Sequence, residues 1–185
     1  MARRIETKLD GLVLVEPDVH GDERGFFVET FSADAWKEMG VDAEFVQHNH
    51  SRSGKGTLRG LHFQTSPGQA KLVRCPRGAI FDAAVDLRRG SPTYGQWEGY
   101  VLDDEKHRQL FVPVGFAHGF AVLSDLADVT YLVSSLYDPA TEAGIRWNDP
   151  EVGVEWPVDD PLLSQRDIDA PLLSDIAADL PFRAT

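Results

Sequence analysis

The sequence predicts an all-β fold, a jelly roll or closed barrel of antiparallel strands with a few short helices. Three observations lead there. Sixteen glycines and eleven prolines are spread along the 185 residues, which interrupts the chain too often for long helices. The apolar runs between them are short and rich in Val, Phe and Tyr, residues that suit a pleated surface. The balance of 42% hydrophobic to 26% charged residues is that of a chain that folds around a core. Many short strands must close on themselves or pack as two sheets to bury their apolar faces. Such a body has a mouth and an interior, and that is where a pocket is expected.

In chain order, strands are expected at Leu12–Val15, Gly25–Phe31, Glu44–His48, Lys71–Cys75, Ala79–Leu87, Trp97–Leu102, Gln109–Val112, Gly119–Leu123 and Val129–Tyr137. One helix is expected at Ala33–Met39, with Ser32 as N-cap and Gly40 as its stop. A second is expected near Asp175–Leu180. The proline-containing stretch from about 150 to 185 reads as an ordered arm around the body, so that residues 1–185 form a single domain.

The formal charge of −12 argues against binding nucleic acid, because it repels a phosphate backbone at long range. A small anionic ligand then needs a local cluster of Arg and Lys whose field wins at short distance. The single cysteine, Cys75, excludes an internal disulfide and fits a reducing compartment. It lies in the apolar run Lys71-Leu72-Val73-Arg74-Cys75 and reads as a buried, inert thiol. Residues 1–16 lack an apolar stretch of signal-peptide or membrane-span length, so a cytoplasmic protein without membrane contact is expected.

The richest segment is Gly56-Thr57-Leu58-Arg59-Gly60-Leu61-His62-Phe63-Gln64, which holds a cation, a titratable base and an amide within six residues. On a flat strand Arg59 and His62 point to opposite faces; a bulge at Gly60 brings both to one cavity. Taken alone His62 reads first as a satisfied core histidine; its polar neighbours shift the balance toward a functional one. Pro113-Val114-Gly115-Phe116-Ala117-His118 has the form of the second half of the cupin signature, whose histidine in metal-binding members joins a His-x-His pair and a glutamate. Here the only His-x-His is His48-Asn49-His50, and the residues after it, Ser51 to Gly56, contain no glutamate. A barrel without a metal is the better fit. Gln47, Asn49 and Ser51 share one strand parity and His48 and His50 the other; with the metal discounted, the amide face is expected inward. Tyr131 and Tyr137 are six residues apart, hence on one side of an unbroken strand, either as core tyrosines or as proton donors. Taken singly, Lys71 and Asp167 read as surface charges.

Together these residues resemble the dTDP-4-dehydrorhamnose 3,5-epimerases. The likeness runs nearly end to end, through Asp22-Glu23-Arg24-Gly25-Phe26-Phe27, Gln47 to Ser51, Gly56 to Gln64, Gln69 to Val73, Val85 to Arg88, Ser91 to Gly95, Pro113 to Phe120 and Trp147-Asn148-Asp149-Pro150. It implies a cupin-type double-stranded β-helix, or jelly roll, and a homodimer; because exposed strand edges at a barrel rim tend to be covered, the N-terminal strand is expected to be exchanged with the neighbour and to donate Arg24 or Glu29 across the two-fold interface. It implies His62 as base, Asp167 as the carboxylate that orients it, Tyr131 as acid and Lys71 beside the C4 oxygen. Arg24 and Arg59 are implied at the pyrophosphate; Phe27, Glu29, Gln47, Asn49, His118, Tyr137 and Glu142 are implied in the substrate pocket, Tyr137 against the thymine.

The implied substrate is a dTDP-4-keto-6-deoxyhexose, converted without metal or other cofactor because the ketone is its own electron sink. The sequence contains no Gly-x-Gly-x-x-Gly that would signal a nicotinamide. His20 and Lys106 stand where many members carry an aromatic residue and an asparagine; neither change removes a catalytic group. Rival readings are an enzyme inverting only C3 or C5, a metal-dependent cupin, and a sugar-binding jelly roll without turnover. Ketoisomerases of the same fold lack the tyrosine acid, so Tyr131 speaks against them.

Overall fold

The computed structural model describes residues 2–184. Two antiparallel sheets face each other. The six-stranded sheet has the order β1 (Arg3–Ile5), β2 (Val13–Glu16), β10 (Gln109–Val112), β7 (Lys71–Arg77), β12 (Leu126–Val133), β5 (Gln47–Gly54). The five-stranded sheet has the order β13 (Glu142–Gly144), β6 (Leu58–Gln64), β11 (Phe116–Val122), β8 (Ala79–Asp86), β9 (Trp97–Asp103). A separate hairpin joins β3 (Val19–Asp22) to β4 (Gly25–Val28). The helices are single turns or little more: α1 (Ala33–Glu38), α2 (Gln165–Ile168) and α3 (Leu173–Ile176). This is the expected all-β jelly roll, and no helix among the described residues is long and apolar enough to cross a membrane.

Alternation along the strands distributes the apolar residues into three layers. Leu14, Val73, Ile80, Ala84, Leu110, Phe116, Phe120 and Val129 meet between the sheets. The opposite parity of the five-stranded sheet, Leu61, Phe63, Val85 and Ala117, is covered by Ile145, Val152, Leu173, Leu180 and Phe182 from the C-terminal segment. Val13, Val15, Leu72 and Phe111 on the outside of the other sheet are covered by Trp36 and Val41. Asp149 pins the C-terminal segment: its buried carboxylate accepts the N–H of Leu173 at 2.6 Å and that of Glu151 at 2.9 Å. Cys75 is buried, its thiol donates to the Arg77 carbonyl, and burial pushes it up to about 12, which makes it inert.

Several boundaries differ from expectation. The strand expected at Glu44–His48 runs instead over Gln47–Gly54, a polar stretch whose inward side chains meet a cavity rather than the core. The strand expected to reach Tyr137 stops at Val133, because Ser134 and Ser135 turn away to satisfy the Ala70 N–H and the Gly68 carbonyl. Ser32 occupies the N-cap of α1 without a side-chain bond; its carbonyl takes the Trp36 N–H. The helix near Asp175–Leu180 begins earlier, at Leu173, and the turn at Gln165–Ile168 was not anticipated.

Candidate active site

At one end of the barrel the inward parity changes from apolar to polar. Gln47, Asn49 and Ser51 from β5, His62 and Gln64 from β6, Lys71 from β7 and Tyr131 from β12 converge there. They line two adjoining cavities of about 260 and 250 Å³ that share His62, Lys71 and Tyr131. The first continues to Gln69, Tyr137 and Glu142, the second to Arg59, His118, Ser164, Arg166 and Asp167. The amide face of the Gln47–Ser51 strand therefore looks inward, as expected. His48 lies on the other side of the sheet beside Arg74 and Thr130.

Gly60 makes the constellation possible. His62 pairs with His118, yet Arg59 pairs with Phe120, so β6 carries one extra residue and Arg59 is turned to the side of His62. Gly60 has φ +136°, and a Cβ there would lie 2.5 Å from Gly119 Cα. Only glycine satisfies both the backbone and the close approach to the neighbouring strand.

His62 Nε2–H donates to Asp167 Oδ1 at 2.5 Å. That leaves Nδ1 as the ring nitrogen able to take up a proton. Asp167 is 3% exposed and stands in the third position after Ser164, which caps α2 by accepting the Asp167 N–H and donates its own hydroxyl to Asp167 Oδ2 at 2.7 Å. Burial opposes the Asp167 charge, but the bonds from His62 and Ser164 outweigh it and hold the carboxyl below its ordinary range. Leu162 anchors this segment to β6: the Leu58 N–H donates to the Leu162 carbonyl, and the Leu162 N–H to that of Gly56.

Tyr131 faces His62 from the opposite sheet. Burial raises its hydroxyl above the usual tyrosine value, so it is a protonated donor at neutral pH. Lys71 Nζ donates to the His62 carbonyl at 3.2 Å, and burial lowers it to about 8 against the pull of Asp82 and Glu142. At the mouth, the Tyr137 hydroxyl donates to Glu142 Oε2 at 2.7 Å, and Arg166 donates to the same oxygen at 2.6 Å. The Tyr137 N–H is held by Gln47 Oε1 at 3.0 Å. Tyr137 thus joins Tyr131 at the cavity although it is not on the same strand.

Arg59, Lys71 and Arg166 together form the local cationic cluster that the acidic composition calls for. Arg24, Phe27 and Glu29 are not brought to this cavity within one chain. Arg24 pairs with Asp22 at 2.6 Å in the β3–β4 hairpin, Phe27 is 69% exposed, and Phe27 and Glu29 line a different groove together with His20. The hairpin belongs to neither sheet, which is why its residues stand apart.

Sequence reasoning missed Arg166, Asp82 and the Gln64–Gln69 pair, in which Gln69 Nε2 donates to Gln64 Oε1 at 2.5 Å. Of these only Arg166 had a local signal: Ser164-x-x-Asp167 is a helix-capping pattern, which turns Arg166 and Asp167 out of one short helical turn.

A family model described as dTDP-4-dehydrorhamnose 3,5-epimerase matches residues 6–175. The dTDP-4-dehydrorhamnose 3,5-epimerase of Methanothermobacter thermautotrophicus is 52% identical over 168 residues, covering 89% of this chain and 91% of that one. The dTDP-4-dehydrorhamnose 3-epimerase of Streptomyces niveus is 46% identical over 181 residues, covering 96% and 87%. The crystal structure of the dTDP-6-deoxy-D-glucose-3,5-epimerase of Legionella pneumophila in complex with dTDP-4-keto-L-rhamnose superposes with a TM-score of 0.97 at 46% identity, covering both chains completely.

Proposed function

The chain belongs to the dTDP-4-dehydrorhamnose 3,5-epimerase family, and from that premise we propose that it epimerises C3 and C5 of dTDP-4-keto-6-deoxy-D-glucose to give the L-configured 4-keto sugar. The C4 ketone acidifies the hydrogens on both neighbouring carbons. His62 Nδ1 removes one of them, and Asp167 stabilises the imidazolium that forms. The electrons move onto the C4 oxygen as an enolate, opposite the Lys71 ammonium. Tyr131 returns a proton from the other face, inverting the centre, and the tyrosinate is reprotonated from solvent. Repeating the cycle on the second carbon completes the conversion. No electrons leave the sugar, so the chemistry asks for neither a nicotinamide nor a metal.

The observation that carries this reading is that base and acid come from opposite walls: His62 from the five-stranded sheet and Tyr131 from the six-stranded one. Two groups on one wall could exchange a proton with one face only. Arg59 and Arg166 suit the pyrophosphate; Gln47, Asn49 and Glu142 suit the sugar and nucleoside, with Tyr137 as the stacking surface for the base. His118 lines the sugar end.

The enzyme acts in the cytoplasm as a homodimer in which the β3–β4 hairpin of one chain carries Arg24, Phe27 and Glu29 to the cavity of the other. What supports this is the hairpin itself: a two-stranded ribbon is marginal alone, and this one exposes Phe26 and Phe27 at 59% and 69%. Light scattering at micromolar concentration should give twice the chain mass; a monomer refutes the exchange.

Proton NMR of the reaction in deuterium oxide tests the chemistry. Label at both C3 and C5 of an inverted product is expected. Label at C3 alone would support the second reading, a mono-epimerase, which the Streptomyces niveus relative favours. Absence of both label and product would sink the proposal.

A further inference from the structure

Among the described residues two histidines line the cavity, each held by a carboxylate, and the mechanism above gives a chemical step to His62 alone. His118 lies directly across the strand pair from His62. Its Nε2–H is held by both oxygens of Asp82, at 3.0 and 2.9 Å. Asp82 is completely buried and, among the described residues, its side-chain hydrogen bonds go to His118 alone. It does not line either cavity, whereas His118 and Lys71 do. A carboxylate buried so deeply is costly unless positive charge compensates it. The His118 N–H satisfies it in part; among the described residues the buried cationic side chain is Lys71, 8% exposed, on the facing sheet.

With Nε2–H committed to Asp82, Nδ1 is the ring nitrogen of His118 left to meet a ligand in the cavity that this residue lines. A neutral ring in that tautomer accepts there, a match for a sugar hydroxyl and no match for a ketone oxygen. The charge growing on C4 oxygen then falls to Lys71. Among the negative charges acting on Lys71, Asp82 comes first and Glu142 second, while Arg166 opposes them. Arg59, His62, Tyr131 and Asp167 are the other titratable groups around this cavity.

We propose that Asp82 is a positioning residue for the epimerisation: from behind the cavity wall it fixes the His118 ring with Nδ1 toward the sugar and supplies the counter-charge for the Lys71 ammonium at the ketone oxygen. This rests on the functional reading above. Without the Asp82 charge, burial acts on Lys71 with less opposition, and the ammonium loses its proton at a lower pH.

The test is the pH profile of kcat and KM for Asp82→Asn beside the wild type, with dTDP-4-keto-6-deoxy-D-glucose as substrate. Expected are a KM within about threefold, a kcat at neutral pH lower by at least ~10-fold, and an alkaline limb of kcat displaced to lower pH by about one unit. A limb at the wild-type position overturns the inference, whether kcat is unchanged or uniformly reduced, since a merely structural role lowers all pH values alike. A wild type that neither epimerises nor exchanges overturns the functional reading with it; an active wild type separates the two. Should Asp82→Asn not fold, ¹⁵N-histidine spectra of the wild type, assigned against His118→Gln, decide: the His118 proton must reside on Nε2, and an Nδ1–H tautomer overturns the proposal.

Discussion

Asp167→Asn isolates what the carboxylate contributes to His62. The 2.5 Å contact to His62 Nε2 is a charge-assisted hydrogen bond, worth about 1.5–3 kcal/mol. If that is lost only as the imidazolium forms, the rate falls about 10- to 150-fold. A second effect adds to it. The Asn amide can donate to Nε2, which drives the ring proton to Nδ1 and removes the basic nitrogen from the substrate; the corresponding exchange in the serine-protease triad costs about 10⁴ in kcat. The Ser164 hydroxyl can still reach the amide oxygen, so the fold should survive. The expected result is therefore a fall in kcat between about 10² and 10⁴ with KM changed little. Solvent deuterium entering recovered substrate should slow in parallel, because both report proton abstraction. A variant within threefold of the wild-type rate would refute the orientation of His62 by Asp167.

For Tyr131→Phe, deuterium should still enter the substrate while inverted product falls sharply; loss of both together would assign Tyr131 a structural role. Gly60→Ala forces φ +136° on a residue with a Cβ and sets that Cβ 2.5 Å from Gly119 Cα. It should cost at least ~3 kcal/mol, read as a lower urea midpoint, and an unchanged midpoint would contradict the packing described. Asp86 accepts bonds from Arg88, Ser91 and Thr93; burial opposes its charge, but these bonds win and hold it below the ordinary carboxylate value. A depressed folded value stabilises above the unfolded one and is lost as pH falls through it. Asp86→Asn should therefore destabilise at neutral pH, and its urea midpoint should approach that of the wild type in acid; a constant gap would exclude this linkage.

How much was legible depended on what each strand faces. In β8 and β11 both faces meet packed layers; the apolar run of β8 showed clearly, whereas β11 was expected only from Gly119 and in fact begins at Phe116. In β5 the inner face meets the cavity with Gln47, Asn49 and Ser51, and the outer one carries His48, His50 and Arg52. Propensity reads packing on a pleat, so it registered only the entry to that strand. The bulge at Gly60 was readable only as something glycine allows, and as what would bring Arg59 and His62 to one cavity. Asp167 was not readable from its surroundings, since it meets His62 across 105 positions and no local pattern encodes that; only the family resemblance named it. Asp82 was hidden for a related reason: within Ala79–Asp86 a lone carboxylate gives no sign of whether it faces water or the interior.

The way the chain closes on β6 makes competence a late event. The strands that carry His62, Lys71 and Tyr131 are all encoded before position 134, yet the carboxylate that readies His62 is brought in by a strap tied down through Leu162 and pinned again at Asp149. Peeling that strap away would take Arg166 from the mouth as well, and leave an unprimed imidazole behind.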